Sequence, residues 1–79
     1  MYYAYVLKSI QHDYFYKGYC RDLDVRLKQH NSGQTKSLRH YLPLKLVYFE
    51  RFDTEVEAIA REKYFKSAAG RRFLKGKLG

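Results

Sequence analysis

The chain has one cysteine, Cys20, in 79 residues, so no disulfide can form within it. That excludes a disulfide scaffold and fits a reducing, cytoplasmic setting. A lone thiol gives no metal-type cysteine pattern, and core packing is its simplest use. No apolar stretch approaches the roughly 20 residues that span a bilayer, and the Tyr-rich start does not read as a signal peptide. Acid is also scarce. Asp and Glu number 8 against 16 Lys and Arg, a formal net charge of +8. From Lys63 onward Lys66, Arg71, Arg72, Lys75 and Lys77 follow with no acid among them. A small domain so charged calls for a polyanionic partner, and nucleic acid is the commonest.

What is abundant is aromatic. Nine Tyr and five Phe put much apolar area into few positions, which a single domain of this length needs for its thin core. Tyr2–Lys8 is aromatic and β-branched and predicts a strand. Ser9–Asp13 is a polar turn, and Tyr14–Cys20 predicts a second strand closing an antiparallel hairpin. Alternation puts Tyr3, Tyr5 and Leu7 on one face of the first strand, and Tyr14, Tyr16 and Gly18 on one face of the second.

Asp22 is an N-cap for a helix running to Gln29 or His30, with Leu23 and Leu27 inward and Asn31-Ser32-Gly33 ending it. Gln34–Pro43 lacks periodicity and carries Lys36, Arg39 and His40, so it is expected to be a basic loop. Leu44–Phe52 predicts a third strand. Thr54-Glu55-Val56-Glu57 is a capping box opening a helix from Glu55 to Ala69, with Gly70 as its C′ residue. Residues 71–79 are expected to be a basic tail with at most one helical turn around Phe73-Leu74. The fold class is therefore α+β, a three-stranded antiparallel sheet flanked by helices in the order β-β-α-β-α, forming one domain over 1–79.

Tyr16-Lys17-Gly18 is followed by Arg26 and, one helical turn later, by His30. Residues four apart on a helix share a face. The set supplies a proton acceptor, a phosphate clamp and a second polar group, which is what phosphodiester chemistry uses. Glu62 has Ala58, Ile59 and Phe65 as helical neighbours, and a carboxylate in such a setting needs a partner. Either Arg61 or Lys66 would make a structural ion pair, and a divalent metal would make a site. Tyrosines of a small hairpin are ordinarily core residues, and His12 in the turn has no evident use.

Taken in order, Tyr2-Tyr3-Ala4-Tyr5-Val6-Leu7-Lys8-Ser9, Phe15-Tyr16-Lys17-Gly18-Tyr19, Asp22-Leu23, Arg26-Leu27, His30-Asn31-Ser32-Gly33, Pro43-Leu44, Leu46-Val47-Tyr48, Glu57-Ala58, Arg61-Glu62 and Lys66 resemble the GIY-YIG nuclease superfamily. The match is to the small stand-alone bacterial type, similar to the N-terminal nuclease domain of the excinuclease C subunit. It covers about residues 2–74. The resemblance implies a metal-dependent endonuclease acting on DNA, in repair or recombination, with one Mg²⁺ or Mn²⁺ ion. By the same resemblance Tyr5 is the first active-site phenol and Tyr16 the base or the group orienting the attacking water. Arg26 holds the scissile phosphate, His30 aids proton transfer and Glu62 ligates the metal. The opening triplet carries Tyr3 where the family has Gly, and the second carries Lys17 where it has Ile. No Asn follows Asn31, whereas many members have a late Asn bracing the site. The basic surface expected to meet nucleic acid comprises Lys17, Tyr19, Lys36, Arg39, His40, Lys66, Arg71 and Arg72. Substrate choice would fall to that loop and tail, to a protein partner or to a homodimer. A nucleic-acid-binding module without turnover is the competing expectation for the same surface.

Overall fold

The computed structural model of the protein describes residues 1–78. Strands β1 (Tyr2–Ser9), β2 (Phe15–Cys20) and β3 (Leu44–Phe52) form one antiparallel sheet in the order β2-β1-β3. Helix α1 (Leu23–Asn31) and a 3-10 helix (Lys36–Tyr41) lie between β2 and β3 in sequence, and α2 (Glu55–Lys66) and α3 (Ala68–Leu78) follow β3. The expected α+β architecture is present. No helix among the described residues is long and apolar enough to cross a membrane.

β1 is central because both of its faces are apolar: Ala4, Tyr5, Val6 and Leu7 are all buried. Tyr5 and Leu7 face a cluster completed by Leu23 and Leu27 of α1 and by Leu38 and Tyr41 of the 3-10 helix. Ala4 and Val6 face the other way, onto Phe65 of α2 and Leu74 of α3. The sheet is thus sandwiched between two helical layers, and β2 is left as an open edge covered from both sides. Cross-strand pairing carries this alternation into β2. Tyr16 lies opposite Leu7 and Gly18 opposite Tyr5, whereas Lys17 pairs with Val6 and Tyr19 with Ala4.

The helix starts follow the sequence closely. The Asp22 carboxylate accepts from Val25 N at 3.1 Å, and Thr54 Oγ1 accepts from Glu57 N at 3.3 Å while donating to Glu57 Oε1 at 2.8 Å. Gly33, at φ 83°, closes α1 after Ser32.

Two stretches differ from expectation. The basic loop holds a 3-10 helix, because buried Leu38 and the stacking of Tyr41 on Tyr14 at 3.7 Å between ring centres give it an apolar anchor. The second long helix does not run to Ala69 with Gly70 as its C′ residue. It ends at Lys66, and Ser67 turns the chain into α3, donating to Tyr64 O at 2.6 Å and accepting from Gly70 N at 3.1 Å. The tail is therefore a full helix to Leu78, its Phe73 and Leu74 packed inward, and the C-terminal Gly79 lies outside the described residues. Gly70 serves the crossing: a Cβ there would lie 1.7 Å from Tyr64 O.

Arg61 ties this layer to β3. Its Nε donates to Glu50 Oε1 at 2.7 Å, and its guanidinium lies 4.5 Å from the Tyr64 ring centre and 4.8 Å from that of Phe73. Burial alone would raise the Glu50 carboxyl, but hydrogen bonds from Arg61 and Tyr48 hold it below the ordinary carboxylate range. Burial and the bond to Glu50 push the Tyr48 phenol up to about 12. A depressed carboxyl contributes stability above its unfolded value near 4.5, and that stability is lost as pH falls through the folded value. Arg61→Leu is expected to cost about 1–3 kcal/mol by leaving Glu50 without its main partner. It should also flatten the loss of stability below pH 4.5; urea unfolding across pH 2.5–7 checks both.

Candidate active site

The sequence spacing places a phenol, an Arg and a carboxylate on separate elements, and the open β2 edge is where those elements meet. Tyr5 from β1, Tyr16 and Gly18 from β2, Arg26 from α1 and Glu62 from α2 line one surface cavity of about 340 Å³. α1 reaches it from one face of the sheet and α2 from the other, so the residues come together only because the edge strand is narrow enough to be straddled. Cys20, buried, also lines it, and burial raises its thiol against the lowering effects of the Arg26 charge and a backbone hydrogen bond from Asp22.

Tyr5 is fixed from three sides. Its ring lies over Gly18, where a Cβ would stand 2.6 Å from the Tyr5 hydroxyl, so the glycine of the second triplet makes room for the first phenol. Tyr16 lies beside it with ring centres 6.3 Å apart. His30 Nε2 is 3.1 Å from the Tyr5 hydroxyl. Burial, reinforced by the neighbouring Tyr16, raises the Tyr5 phenol well above its ordinary value. Tyr5 therefore keeps its proton at neutral pH and offers a hydroxyl.

His30 lies beneath the cavity, 2 % exposed, and its Nδ1 is 3.0 Å from Thr35 Oγ1. Thr35 precedes the 3-10 helix yet makes no side-chain cap to it; the hydroxyl is given to His30 instead. Sequence reading missed Thr35, since a Thr ahead of an unrecognised 3-10 helix carries no signal. Burial, then the Arg26 charge, lowers the His30 pKa, so the ring is neutral at pH 7. With the folded value below the unfolded value near 6.5, the domain is fully stabilised above that pH and weakens as pH falls beneath it. Arg26→Gln, which removes one of the two causes, should move the His30 titration upward when followed by NMR.

Arg26 is exposed at the cavity, where its guanidinium is free to meet a phosphate. Glu62 is half-buried; one oxygen, Oε2, accepts from Lys66 Nζ at 3.0 Å. Of the two ion-pair partners expected from sequence, Lys66 is the one used, since Arg61 is engaged by Glu50. No group of three or more His, Cys, Asp or Glu that could hold a metal occurs among the described residues. A divalent ion here would rest on the Glu62 carboxylate, with Glu55 on the same wall and water and substrate oxygens completing its shell. Those hard donors suit Mg²⁺, which keeps most of its water and commonly takes one or two carboxylates.

The expected nucleic-acid-binding residues do not form one patch. Tyr19 lines the site cavity. Lys17 and Arg71 line a neighbouring cavity of about 450 Å³ floored by Phe15, Leu74 and Leu78. Burial, with the charges of Arg71 and Lys66, lowers the Lys17 pKa, so these cations crowd one another. Arg72 is exposed on α3. Lys36, Arg39 and His40 sit on the 3-10 helix, in the opposite layer from α3, and line neither of these cavities. Arg39 is tied to Gly33 O at 2.6 Å, and His40 stacks on His12 at 4.7 Å between ring centres. Asn31, the last Asn in the chain, holds Leu44 through both its amide atoms and so docks α1 onto β3.

Comparison with known proteins places the chain in a family. The GIY-YIG catalytic domain matches residues 1–75. A UPF0213 protein from Staphylococcus saprophyticus is 38% identical over 74 residues, covering 92% of this chain and 89% of its own. One from Bacillus licheniformis is 46% identical over 65 residues, covering 81% of this chain and 66% of its own. The solution NMR structure of a UPF0213 protein from Bacillus halodurans superposes with a TM-score of 0.57 at 32% identity, over all of this chain and 87% of that one.

Proposed function

The chain belongs to the GIY-YIG family, and from that premise we propose that it is a divalent-metal-dependent endonuclease hydrolysing phosphodiester bonds in DNA. The observation carrying this reading is the single cavity at the β2 edge shared by Tyr5, Tyr16, Arg26 and Glu62. A domain that only bound DNA would need the cations but not a half-buried carboxylate facing two phenols.

Arg26 grips the non-bridging oxygens of the scissile phosphate and offsets the charge that builds on them. Tyr16, in its phenolate form, orients the water whose oxygen attacks phosphorus, and takes up the water's proton as the new P–O bond forms and the bond to the leaving oxygen breaks. Tyr5, protonated, gives the cavity a fixed hydroxyl, with neutral His30 and Thr35 behind it holding the oxygen in place. His30 is thus a positioning residue acting through Tyr5. Glu62 is the residue that would hold a divalent ion, and such an ion would supply Lewis-acid polarisation of the phosphate and charge stabilisation of the leaving oxygen.

One observation favours the second reading, a binding module without turnover: Lys66 already neutralises Glu62. Incubation of the purified protein with branched, nicked and single-stranded DNA separates the two. The nuclease reading expects cleavage of at least one substrate in Mg²⁺ or Mn²⁺, stopped by EDTA. DNA binding with no product in either metal would leave the module in its place.

A further inference from the structure

Lys66 lines neither cavity but has a charged neighbour in each, Glu62 in one and Lys17 in the other. Its ammonium is 3.0 Å from Glu62 Oε2, one helical turn back, yet its side chain keeps 56% of its exposure against 17% for Glu62. Glu62 faces the cavity of Tyr5, Tyr16 and Arg26. On its other side Lys66 lies close enough to Lys17 for its charge to weigh on that ammonium, as does that of Arg71. Lys17 and Arg71 both line the neighbouring cavity. A flexible four-carbon stem lets the Lys66 ammonium choose between these surroundings. In the free protein the carboxylate is its best partner.

A divalent ion on Glu62 and the Lys66 ammonium would stand within a few ångströms of each other, where like charges repel strongly in a partly dry site. The two therefore compete for one carboxylate. A phosphodiester lying across both cavities changes the balance, because it gives the ammonium a charged oxygen to move to. We infer that Lys66 is a placeholder cation that covers Glu62 in the free protein and transfers to a substrate phosphate when the metal loads, so that ion binding and DNA binding are coupled through this one side chain. The inference rests on Glu62 being the ligand proposed above. By linkage, whatever DNA adds to metal affinity the metal adds to DNA affinity.

Mn²⁺ binding followed by electron paramagnetic resonance tests this without reference to cleavage. Affinity is measured for the Tyr16→Phe protein, which cleaves DNA too slowly to consume it during the measurement, with and without a short branched DNA, and again with Lys66→Gln or Lys66→Arg added. DNA should tighten Mn²⁺ binding by about tenfold or more, within the usual range of coupling between sites. Lys66→Gln should bind Mn²⁺ several-fold more tightly in the absence of DNA and gain less when DNA is added, whereas Lys66→Arg should keep the coupling. Unchanged or weakened Mn²⁺ binding in free Lys66→Gln would overturn the placeholder role. Mn²⁺ binding that is indifferent to Glu62→Gln would instead remove the metal site itself, and the inference with it.

Discussion

Tyr16→Phe is expected to lower the cleavage rate by about 10²- to 10⁴-fold, the contribution ordinarily made by a group that moves a proton in the transition state. Binding of DNA should hold, because the substitution removes one oxygen and no charge. The fold should hold too. The Tyr16 ring packs edge-on against His30, with centres 5.1 Å apart, and tilted against Tyr5 at 6.3 Å, and phenylalanine keeps both contacts. Tyr5→Phe makes the informative comparison. It also removes a hydroxyl, but this one keeps its proton and is bonded to His30, so its loss should act on orientation and cost less than the loss at Tyr16. Single-turnover rates for the two variants, with DNA affinity measured alongside, check the order. Equal losses would mean that the phenols share one role.

Gly70→Ala should be strongly destabilising, the most so of any Gly→Ala substitution in the chain. The added methyl would stand 1.7 Å from Tyr64 O and 2.8 Å from the Phe65 Cα, atoms of a helix backbone that cannot swing aside. Phe65 is itself fully buried in the second core cluster. Relief requires α3 to slide off α2, which exposes Leu74 and Phe73. The cost should exceed about 4 kcal/mol, beyond the range of ordinary point substitutions. For a domain of this size that is a large share of the total stability, about 0.05–0.15 kcal/mol per residue. Circular dichroism should show a protein that has lost its cooperative melt or melts tens of degrees lower. Gly76→Ala is the control, since a Cβ there meets nothing within 4 Å and a helical alanine is favoured.

Gly70 also shows why part of the fold was hidden in the sequence. A glycine after a helical run reads as a C′ residue, and nothing local distinguishes that use from a close helix crossing. The distinction depends on Tyr64 and Phe65 lying opposite it, which is tertiary information. Ser67 is similar: one hydroxyl both accepts from Gly70 N and donates to Tyr64 O, ending one helix and starting another within a single residue. The 3-10 helix had no periodicity to announce it and is held by Leu38 and Tyr41 against the hairpin. By contrast the strands, the Asp22 and Thr54 caps and the end of α1 at Gly33 were legible, because each is decided by neighbours in sequence. The same division runs through the site. Alternation along the hairpin put Tyr5, Tyr16 and Gly18 on one face, and helical spacing put Arg26 and His30 together. Their depth was not legible: His30 is buried under Tyr5 while Arg26 is exposed, although both lie on the same helical face. Thr35 and the choice of Lys66 over Arg61 as the Glu62 partner depend on elements far apart in the chain.

The proposed role of Glu62, brought to the β2 edge from the far side of the sheet, is to make this cavity a metal-dependent hydrolytic site rather than a cationic cradle. The most direct test is single-turnover cleavage of a branched DNA in Mg²⁺ by wild type and Glu62→Gln at equal DNA occupancy. Wild type is expected to give product and Glu62→Gln none above background, while the variant binds the DNA no less tightly. Equal cleavage by both proteins would contradict that role.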